Sequence, residues 1–304
     1  MALRSMIRLV DPFGMLDRFS ATPSRPSELV GIVADLRFEL VPMKSVETAI
    51  RDLSPGSRVS VTCSPAKGIP ATVELTEKLV ADGHDVVPHI AARLVEGPGQ
   101  VADLARWIGA VGLESIFVIA GDAEDPAGPY LGAVEFLRDL LEHETGLSHV
   151  GIAGYPDGHT LIDDDTLSDA LHAKQTLFAE VGVQGSVTTQ MCFDATKIHD
   201  WLATERARGL TLPVHLGLPG VVDRAKLVTM GTRLGVGPSL RYLRKNRASL
   251  TRMLAPGGYD PSELLLDLVK ESPDLDIAGL HSFTFNRVGA TRQWQAEFVN
   301  AAHS

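Results

Sequence analysis

The sequence is poor in cysteine and in basic charge, and each shortage excludes a class of protein. Two cysteines, Cys63 and Cys192, among 304 residues exclude a disulfide framework, and no Cys-x-x-Cys metal motif occurs, so we expect a reducing compartment. Lys and Arg number 28 against 38 Asp and Glu, a formal net charge of −10. This balance argues against nucleic acid or an anionic membrane surface as the main partner.

Long apolar runs are also missing. Arg or Asp interrupts the apolar residues of the first twenty positions every few residues, whereas a signal peptide needs an apolar core of roughly 7–15 residues. The uncharged run 209–222 contains two prolines and is shorter than the roughly 20 apolar residues of a membrane span. With 44% hydrophobic residues the chain can still bury a sizeable core. The sequence therefore predicts a soluble, cytoplasmic protein.

Strand-like runs alternate with longer amphipathic runs along most of the chain. Helices are predicted at 70–83, 99–112 and 196–209, among others, and strands at 31–41, 58–63, 85–91, 115–121, 149–155, 185–190, 213–218 and 276–283. Eight strand–helix cycles predict a single (β/α)₈ barrel over residues 29–304, after an N-terminal extension of residues 1–28. Its strands should be nearly continuous in apolar residues. A doubly wound open sheet is the alternative, but no G-x-G-x-x-G follows the first strand.

Catalytic residues of such barrels collect where the strands end and in the loops that follow. Glu39 lies within the apolar run FELVP, where a carboxylate is costly unless it is hydrogen-bonded or functional. It is either satisfied by backbone or a barrel-floor cation, or it is a carboxyl group whose burial raises its pKa for proton delivery. The other polar side chains at these positions are Lys44, Thr62, His89, Asp122, Tyr155, Asp157, His159, Gln190, His215, His281, Asn286 and Arg287.

Several of these residues also have an ordinary structural interpretation. Asp122 can cap its own turn, and Gln190 can satisfy its amide against neighbouring strands. His89, His215 and His281 allow a metal-dependent hydrolase or aldolase, but no HxH or HxxxH pair supplies two ligands from one element. We therefore expect core histidines and no metal. The basic segment 241–252 (Arg241, Arg244, Lys245, Arg247, Arg252) is either a site for phosphates or a polycarboxylate tail, or a solvated helix face.

Taken together, the strings at the strand ends resemble the methylenetetrahydrofolate reductase family. They run in order over about nine-tenths of the chain: FEL-P at 38–42, SVT at 60–62, PH at 88–89, GD at 121–122, YP-x-x-H at 155–159, TTQMCFD at 188–194, GLP at 217–219 and HSFTFNR at 281–287. The resemblance implies a (β/α)₈ enzyme that reduces 5,10-methylenetetrahydrofolate to 5-methyltetrahydrofolate with hydride from NADH or NADPH. A place in methionine biosynthesis would follow.

The resemblance also implies roles for individual residues. Glu39 falls on the family's catalytic acid, Asp122 on the Asp beside the pterin, and Gln190 on the Gln that touches folate and nicotinamide. Phe285 would contact the substrate. The positions that touch flavin in typical members, which here would line the nicotinamide dinucleotide site, are Thr62, His89, Tyr155 and His159.

Two departures from the family pattern argue against bound FAD. The triplet R-G-D of typical members reads Ala120, Gly121 and Asp122 here, and Thr176, Leu177 and Phe178 stand where a basic run serves the flavin diphosphate. Each missing cation removes a charge-assisted hydrogen bond of roughly 1.5–3 kcal/mol. The favoured hypothesis is therefore direct hydride transfer without flavin. The alternatives are an FAD-dependent reductase, the metal-dependent barrel enzyme, and a non-catalytic folate or nucleotide binder.

Overall fold

The structure, a computed structural model, describes residues 27–222, 259–271 and 277–301. These residues form a closed barrel in which eight parallel strands follow one another in chain order and the last pairs with the first. The strands are β1 (Arg37–Leu40), β2 (Arg58–Val61), β3 (Asp85–Ala91), β4 (Ser115–Ile119), β5 (His149–Gly154), β6 (Gln184–Thr189), β7 (Val214–Pro219) and β8 (Gly279–Phe283). The predicted (β/α)₈ barrel is confirmed.

Helices connect the strands and surround the barrel. In the described ranges they are α1 (Ser27–Ala34), α2 (Val46–Arg51), α3 (Gly68–Ala81), α4 (Pro98–Val111), α5 (Ala133–Leu141), α6 (Asp164–Val181), α7 (Ala195–Ala207), α8 (Ser262–Glu271) and α9 (Val288–Asn300), with a 3₁₀ turn at Ala92–Leu94. The predicted helices 70–83, 99–112 and 196–209 correspond to α3, α4 and α7. Gly112 ends α4 in the left-handed conformation (φ 73°), as its sequence position predicts.

The first predicted strand is wrong in its amino-terminal half. The sequence predicts one strand over residues 31–41, but α1 continues to Ala34 and the strand begins only at Arg37. The apolar residues Leu29 and Val33 are four positions apart and both are buried, which is the spacing of one face of a helix. The β-branched residues of this segment therefore pack from a helix.

Several strands, β1, β2 and β6 among them, alternate between an apolar outer face and a polar inner face. On β1, Phe38 and Leu40 are buried in the apolar layer between strands and helices, whereas Arg37 and Glu39 point into the barrel. The expectation of nearly continuous apolar strands is therefore wrong for the inner face. Other polar residues that line the inside are Arg58, Ser60, His89, Ser115, His149, Ser186, Thr188, His215 and His281.

Two expectations cannot be compared with the structure. Residues 1–26 lie outside the described ranges, so the division into an extension and a barrel domain stays a prediction. The basic segment 241–252 also lies outside them. Within the described ranges, none of the helices combines the length and the apolar character that crossing a bilayer requires.

Candidate active site

Glu39 occupies the interior of the barrel near the carboxyl end of β1. Its neighbours across the sheet are Ser60 on β2 and Phe283 on β8. Alternation along the strand directs the side chain inward, and only 6% of the residue is exposed. Its backbone carbonyl accepts a hydrogen bond from the Thr284 hydroxyl, which ties the end of β1 to the loop after β8.

The Glu39 carboxylate is hydrogen-bonded to a histidine of the neighbouring strand. Glu39 Oε2 lies 3.0 Å from His281 Nε2, and both side chains are buried. Burial raises the pKa of Glu39 to about 7, and the nearby His89 opposes that rise. Burial lowers the pKa of His281 to about 3, so the ring is neutral near pH 7 in spite of its ion-pair distance. The pair therefore holds one exchangeable proton, and Glu39 is the member that titrates near neutrality.

A second histidine, His89 on β3, completes a buried cluster. The ligand atoms of Glu39, His89 and His281 lie within 4.8 Å of one another, and in the part of the chain that the structure describes this is the group that could hold a metal ion. Burial lowers the pKa of His89 to about 4, and its Nε2 has no hydrogen-bond partner. A carboxylate with two neutral imidazoles is a donor set that suits Zn²⁺ or Fe²⁺.

His215, the third histidine of the metal hypothesis, lies outside this cluster. It pairs with Gly279 on β8, two residues before His281, and a Cβ at position 279 would lie 2.6 Å from its ring. Burial lowers the pKa of His215 to about 4. The ring therefore packs as a neutral group nearer the amino end of the barrel. The sequence suggests His89, His215 and His281 as possible metal ligands together. In the structure His89 and His281 cluster with Glu39.

A second group of the predicted residues lies in the loops after β4, β5 and β6. The Tyr155 ring packs edge-on against His159 at a centroid distance of 5.6 Å. Burial, with the charge of Asp122, raises the pKa of Tyr155 to about 12. The Gln190 backbone N–H donates to Gly154 O at 2.7 Å, and its side-chain oxygen accepts the Met191 N–H at 2.8 Å. Gln190 is thus held in place by backbone groups of Gly154 and Met191. Asp122 is exposed.

The other predicted residues are placed by the loops after β2 and β8. Thr62 follows β2, its backbone N–H donates to Leu40 O, and its hydroxyl is buried without a hydrogen-bond partner. Phe285 is buried with a positive φ of 48°, a conformation that non-glycine residues rarely adopt. Such strain is often found in functional loops.

Asn286, Arg287 and Lys44 have different surroundings. Asn286 has the same positive-φ conformation as Phe285, with a φ of 61°. Its amide pairs with both backbone groups of Val41 at 2.9 Å, so it fastens the loop after β1 and has a structural role. Arg287 and Lys44 are exposed.

Asp157 has a buried side chain in the loop after β5. Its Oδ1 accepts a 2.9 Å hydrogen bond from Lys197 on α7, and its side chain is 3% exposed. The salt bridge joins the loop after β5 to the start of α7.

Sequence inspection missed a cavity on the amino-terminal side of the cluster. Its volume is about 560 Å³, and its rim consists of residues at the amino ends of the strands, among them the exposed Asp35, Asp85 and Glu114. His89 and His281 line its inner end. In β1, β2 and β6 every second residue is polar, and this period of two is the signal that could have revealed a polar barrel interior.

The helix after β5 does not offer cations to a flavin diphosphate. Leu177 and Phe178 are core residues, and a Cβ at Gly185 would lie 2.4 Å from the Phe178 ring. Thr176 is exposed but uncharged. Lys174 is buried on the same helix, which lowers its pKa to about 8. The residues that the structure places at these three positions carry no cation, and the absence of FAD stays a prediction.

Comparisons with known proteins show likeness of fold without an assignment of family. No protein-family model matches the chain. Among solved structures, a family 18 chitinase from Crocus vernus is 11% identical, with a TM-score of 0.44, over 88% of this chain and 98% of its own. A Yersinia pestis dihydropteroate synthase (DHPS) with a pterine–sulfa conjugate is 14% identical, with a TM-score of 0.46, over 88% and 94%.

A third structure, Burkholderia cenocepacia dihydropteroate synthase complexed with 7,8-dihydropteroate, is 15% identical, with a TM-score of 0.43, over 88% of this chain and 90% of its own. Barrels of unrelated activities resemble the chain to the same degree. The similarity therefore does not select among activities.

Proposed function

We propose that the protein is an oxidoreductase that reduces 5,10-methylenetetrahydrofolate to 5-methyltetrahydrofolate with hydride from NADH or NADPH. The observation that carries the proposal is the Glu39 carboxyl group, buried near the carboxyl end of β1 and hydrogen-bonded to a neutral His281. This residue is also the one that the sequence resemblance assigns as the acid. A carboxyl group with a pKa of about 7 is protonated in a large fraction of molecules at neutral pH.

The chemistry of the reduction fits these groups. Glu39 donates its proton to N10 as the bond between the methylene carbon and N10 breaks, leaving a cationic N5 iminium. Hydride from the nicotinamide then adds to the methylene carbon, so each turnover consumes one proton. The Glu39 carboxylate left behind accepts a hydrogen bond from His281 Nε2 and lies in a water-poor site, where its charge favours the iminium.

The residues at the other strand ends would hold the two substrates. Asp122, Gln190 and Phe285 are assigned to the folate by the resemblance, and all three follow the carboxyl ends of strands. The nicotinamide dinucleotide would contact Thr62, His89, Tyr155 and His159. With the reactants in contact, hydride transfer needs mainly correct positioning.

We further propose that the hydride passes to the folate directly, without a flavin. The support is α6, whose residues Leu177 and Phe178 pack into the core where typical family members carry cations for the flavin diphosphate. The purified protein should then show no absorbance band near 450 nm. It should oxidise NADH or NADPH when methylenetetrahydrofolate is supplied without FAD. A stoichiometric flavin spectrum, or activity that requires added FAD, would favour the flavin-dependent alternative.

One observation favours a second candidate, a metal-dependent barrel enzyme. Glu39, His89 and His281 have the spacing and chemistry of a divalent metal site. This candidate predicts stoichiometric metal in the purified protein and loss of activity with a chelator. The reductase predicts that NADH oxidation survives the chelator. Folate binding with no NADH or NADPH oxidation would instead indicate a non-catalytic binder.

A further inference from the structure

The amino-terminal half of the barrel interior leaves room for a small molecule. The interior of such barrels is usually filled by layers of bulky branched side chains. Here much of the wall consists of small residues, namely Ser60, Ser115, Gly151, Ser186, Thr188 and Gly279. The cavity of about 560 Å³ that they help to form lies within the range of roughly 300–1,000 Å³ that ligand pockets have. The barrel floor therefore contains a space of the size that a ligand needs.

Polar atoms in the cavity wall lack partners among the described residues. Ser60 Oγ, His84 Nδ1 and His215 Nδ1 are buried, make no hydrogen bond, and belong to residues that line the cavity. Ser60 itself is only 1% exposed, and alternation along β2 directs it inward, as it does Arg58 two positions earlier. Because buried polar groups are almost always hydrogen-bonded, the cavity suits water or a polar ligand rather than an apolar one.

Two arginines line the cavity near its rim. The guanidinium groups of Arg37 on β1 and Arg58 on β2 both bond the Asp85 carboxylate, at 3.0 and 3.2 Å. Arg37 Nε and Arg58 Nη2 make no hydrogen bond to any described residue. Burial lowers the pKa of Arg37, whose side chain is 16% exposed, so water solvates its charge poorly. Two cations that are held in place and keep unused N–H groups are suited to bind an oxyanion.

The arginines also set the sign of the electrostatic potential inside the cavity. His149 and His215 line it; burial lowers the pKa of both rings, and the charges of Arg37 and Arg58 lower it further. The carboxylates that line the cavity are exposed at its rim, where water and salt screen their charge: Asp35, Asp85 and Glu114. Positive charge therefore reaches the interior more strongly than negative charge does, and this favours an anion.

We propose that this cavity binds a small oxyanion, a phosphate or a carboxylate, held by Arg37 and Arg58 together with the Ser60 hydroxyl and the His215 ring. The arginines donate charge-assisted hydrogen bonds, which are about twice as strong as neutral ones. The Ser60 hydroxyl donates a further bond, and so does His215 Nδ1 in the tautomer that carries its proton there. The site lies at the amino-terminal side of the barrel, opposite the end where the proposed substrates bind, so it does not depend on the proposed reaction.

Titration calorimetry of the purified protein with inorganic phosphate tests the site. In a phosphate-free buffer of constant ionic strength, we expect one phosphate to bind per chain. Succinate, titrated separately, distinguishes the two sources of the oxyanion, because the probe that binds more tightly identifies the ligand class. Saturating NADH should leave both affinities unchanged, since the dinucleotide is proposed to bind at the opposite end of the barrel.

Two variants and a matched control locate the anion. Arg58→Gln should weaken binding by about tenfold or more, as expected for the loss of a charge-assisted hydrogen bond. Ser60→Ala removes one neutral donor and should weaken binding by severalfold. Arg208→Gln is the control, because Arg208 also pairs with an aspartate, Asp165 at 3.2 Å, and its side chain is 46% exposed against 38% for Arg58. It loses the same charge away from the cavity and should keep the wild-type affinity.

The calorimetric outcomes separate the possibilities without any turnover, so failure of the proposed function does not affect them. Absence of saturable binding of either anion to the wild type overturns the proposal. Displacement by NADH, or equal weakening in Arg208→Gln and Arg58→Gln, places the anion elsewhere and also overturns it. Unchanged affinity in either cavity variant overturns it as well, and Ser60→Ala decides alone if circular dichroism shows that Arg58→Gln is unfolded.

Discussion

His281 Nε2 lies 3.0 Å from Glu39 Oε2, although 242 positions separate the two residues in the chain. The contact forms because β8 closes the barrel against β1, with Arg37 opposite His281 and Glu39 opposite Phe283. A carboxyl group and a neutral imidazole thus share a proton in a buried site. The reaction proposed above depends on this pair, and so do three of the following predictions.

Replacing Glu39 by Gln should abolish most turnover while substrates still bind. The amide has the shape of the carboxyl group but cannot give up a proton, and general acid catalysis contributes typically 10²–10⁴-fold. We expect kcat to fall within that range, with NADH binding nearly unchanged by titration. Glu205→Gln is the control, since Glu205 is a buried carboxylate on α7 that pairs with Ser168 and His172. Undiminished turnover of Glu39→Gln would remove Glu39 from the mechanism.

Turnover should decrease above about pH 7, because Glu39 loses its proton there. The acid works only when protonated, and its pKa is about 7. We therefore expect kcat to be level at pH values below about 7 and to fall roughly tenfold per unit above it. Substrate binding measured over the same range serves as the control. A kcat that stays level to pH 9 would contradict the assignment.

The stability of the wild type relative to Glu39→Gln should depend on pH, whatever the reaction. Glu39 has a folded-state pKa of about 7 against an ordinary value of 4.5, so the folded state holds its proton more tightly. Its contribution to stability is complete below pH 4.5 and is lost as the pH rises to about 7. At 1.36 kcal/mol per unit, the free energy of unfolding of the wild type should fall by about 3 kcal/mol relative to the variant.

Denaturant unfolding at pH 5 and pH 8 measures this difference. Titration of the histidines occurs in both proteins and largely cancels. A difference that does not change between the two pH values would show that Glu39 is ionised throughout, and the proton-donor role would fail.

Gly217→Ala should destabilise the barrel sharply. A Cβ at position 217 would lie 2.0 Å from the Thr189 carbonyl oxygen and 2.6 Å from the Phe283 ring. Overpacking of this kind costs typically 1–3 kcal/mol. Gly31→Ala on α1 is the matched control, because nothing lies within 4 Å of its Cβ. Alanine there should stabilise the helix by up to about 1 kcal/mol. Equal melting temperatures of the two variants would contradict the packing around β7.

The sequence predicted the order of the barrel better than its interior. The apolar outer faces and the glycine caps have local patterns, so seven of the eight predicted strands overlap their observed positions closely. Residues 31–34 were misread because Ile32 and Val33 are typical of strands, while burial on the side of α1 favoured a helix. The sequence analysis expected apolar strands and not a polar inner face, although polar residues occupy every second position of β1, β2 and β6.

The chain by itself determined that Glu39, Thr62, His89 and Gln190 stand where strands of a parallel barrel end or nearly end. This followed from local spacing, because hydrophobic periodicity and turn residues act over a few positions. Only the tertiary structure decided which side chains at the strand ends meet: Glu39 with His281 and His89, and Tyr155 with His159. Barrel closure brings distant strands together, and the burial that raises the pKa of Glu39 comes from neighbours on those strands.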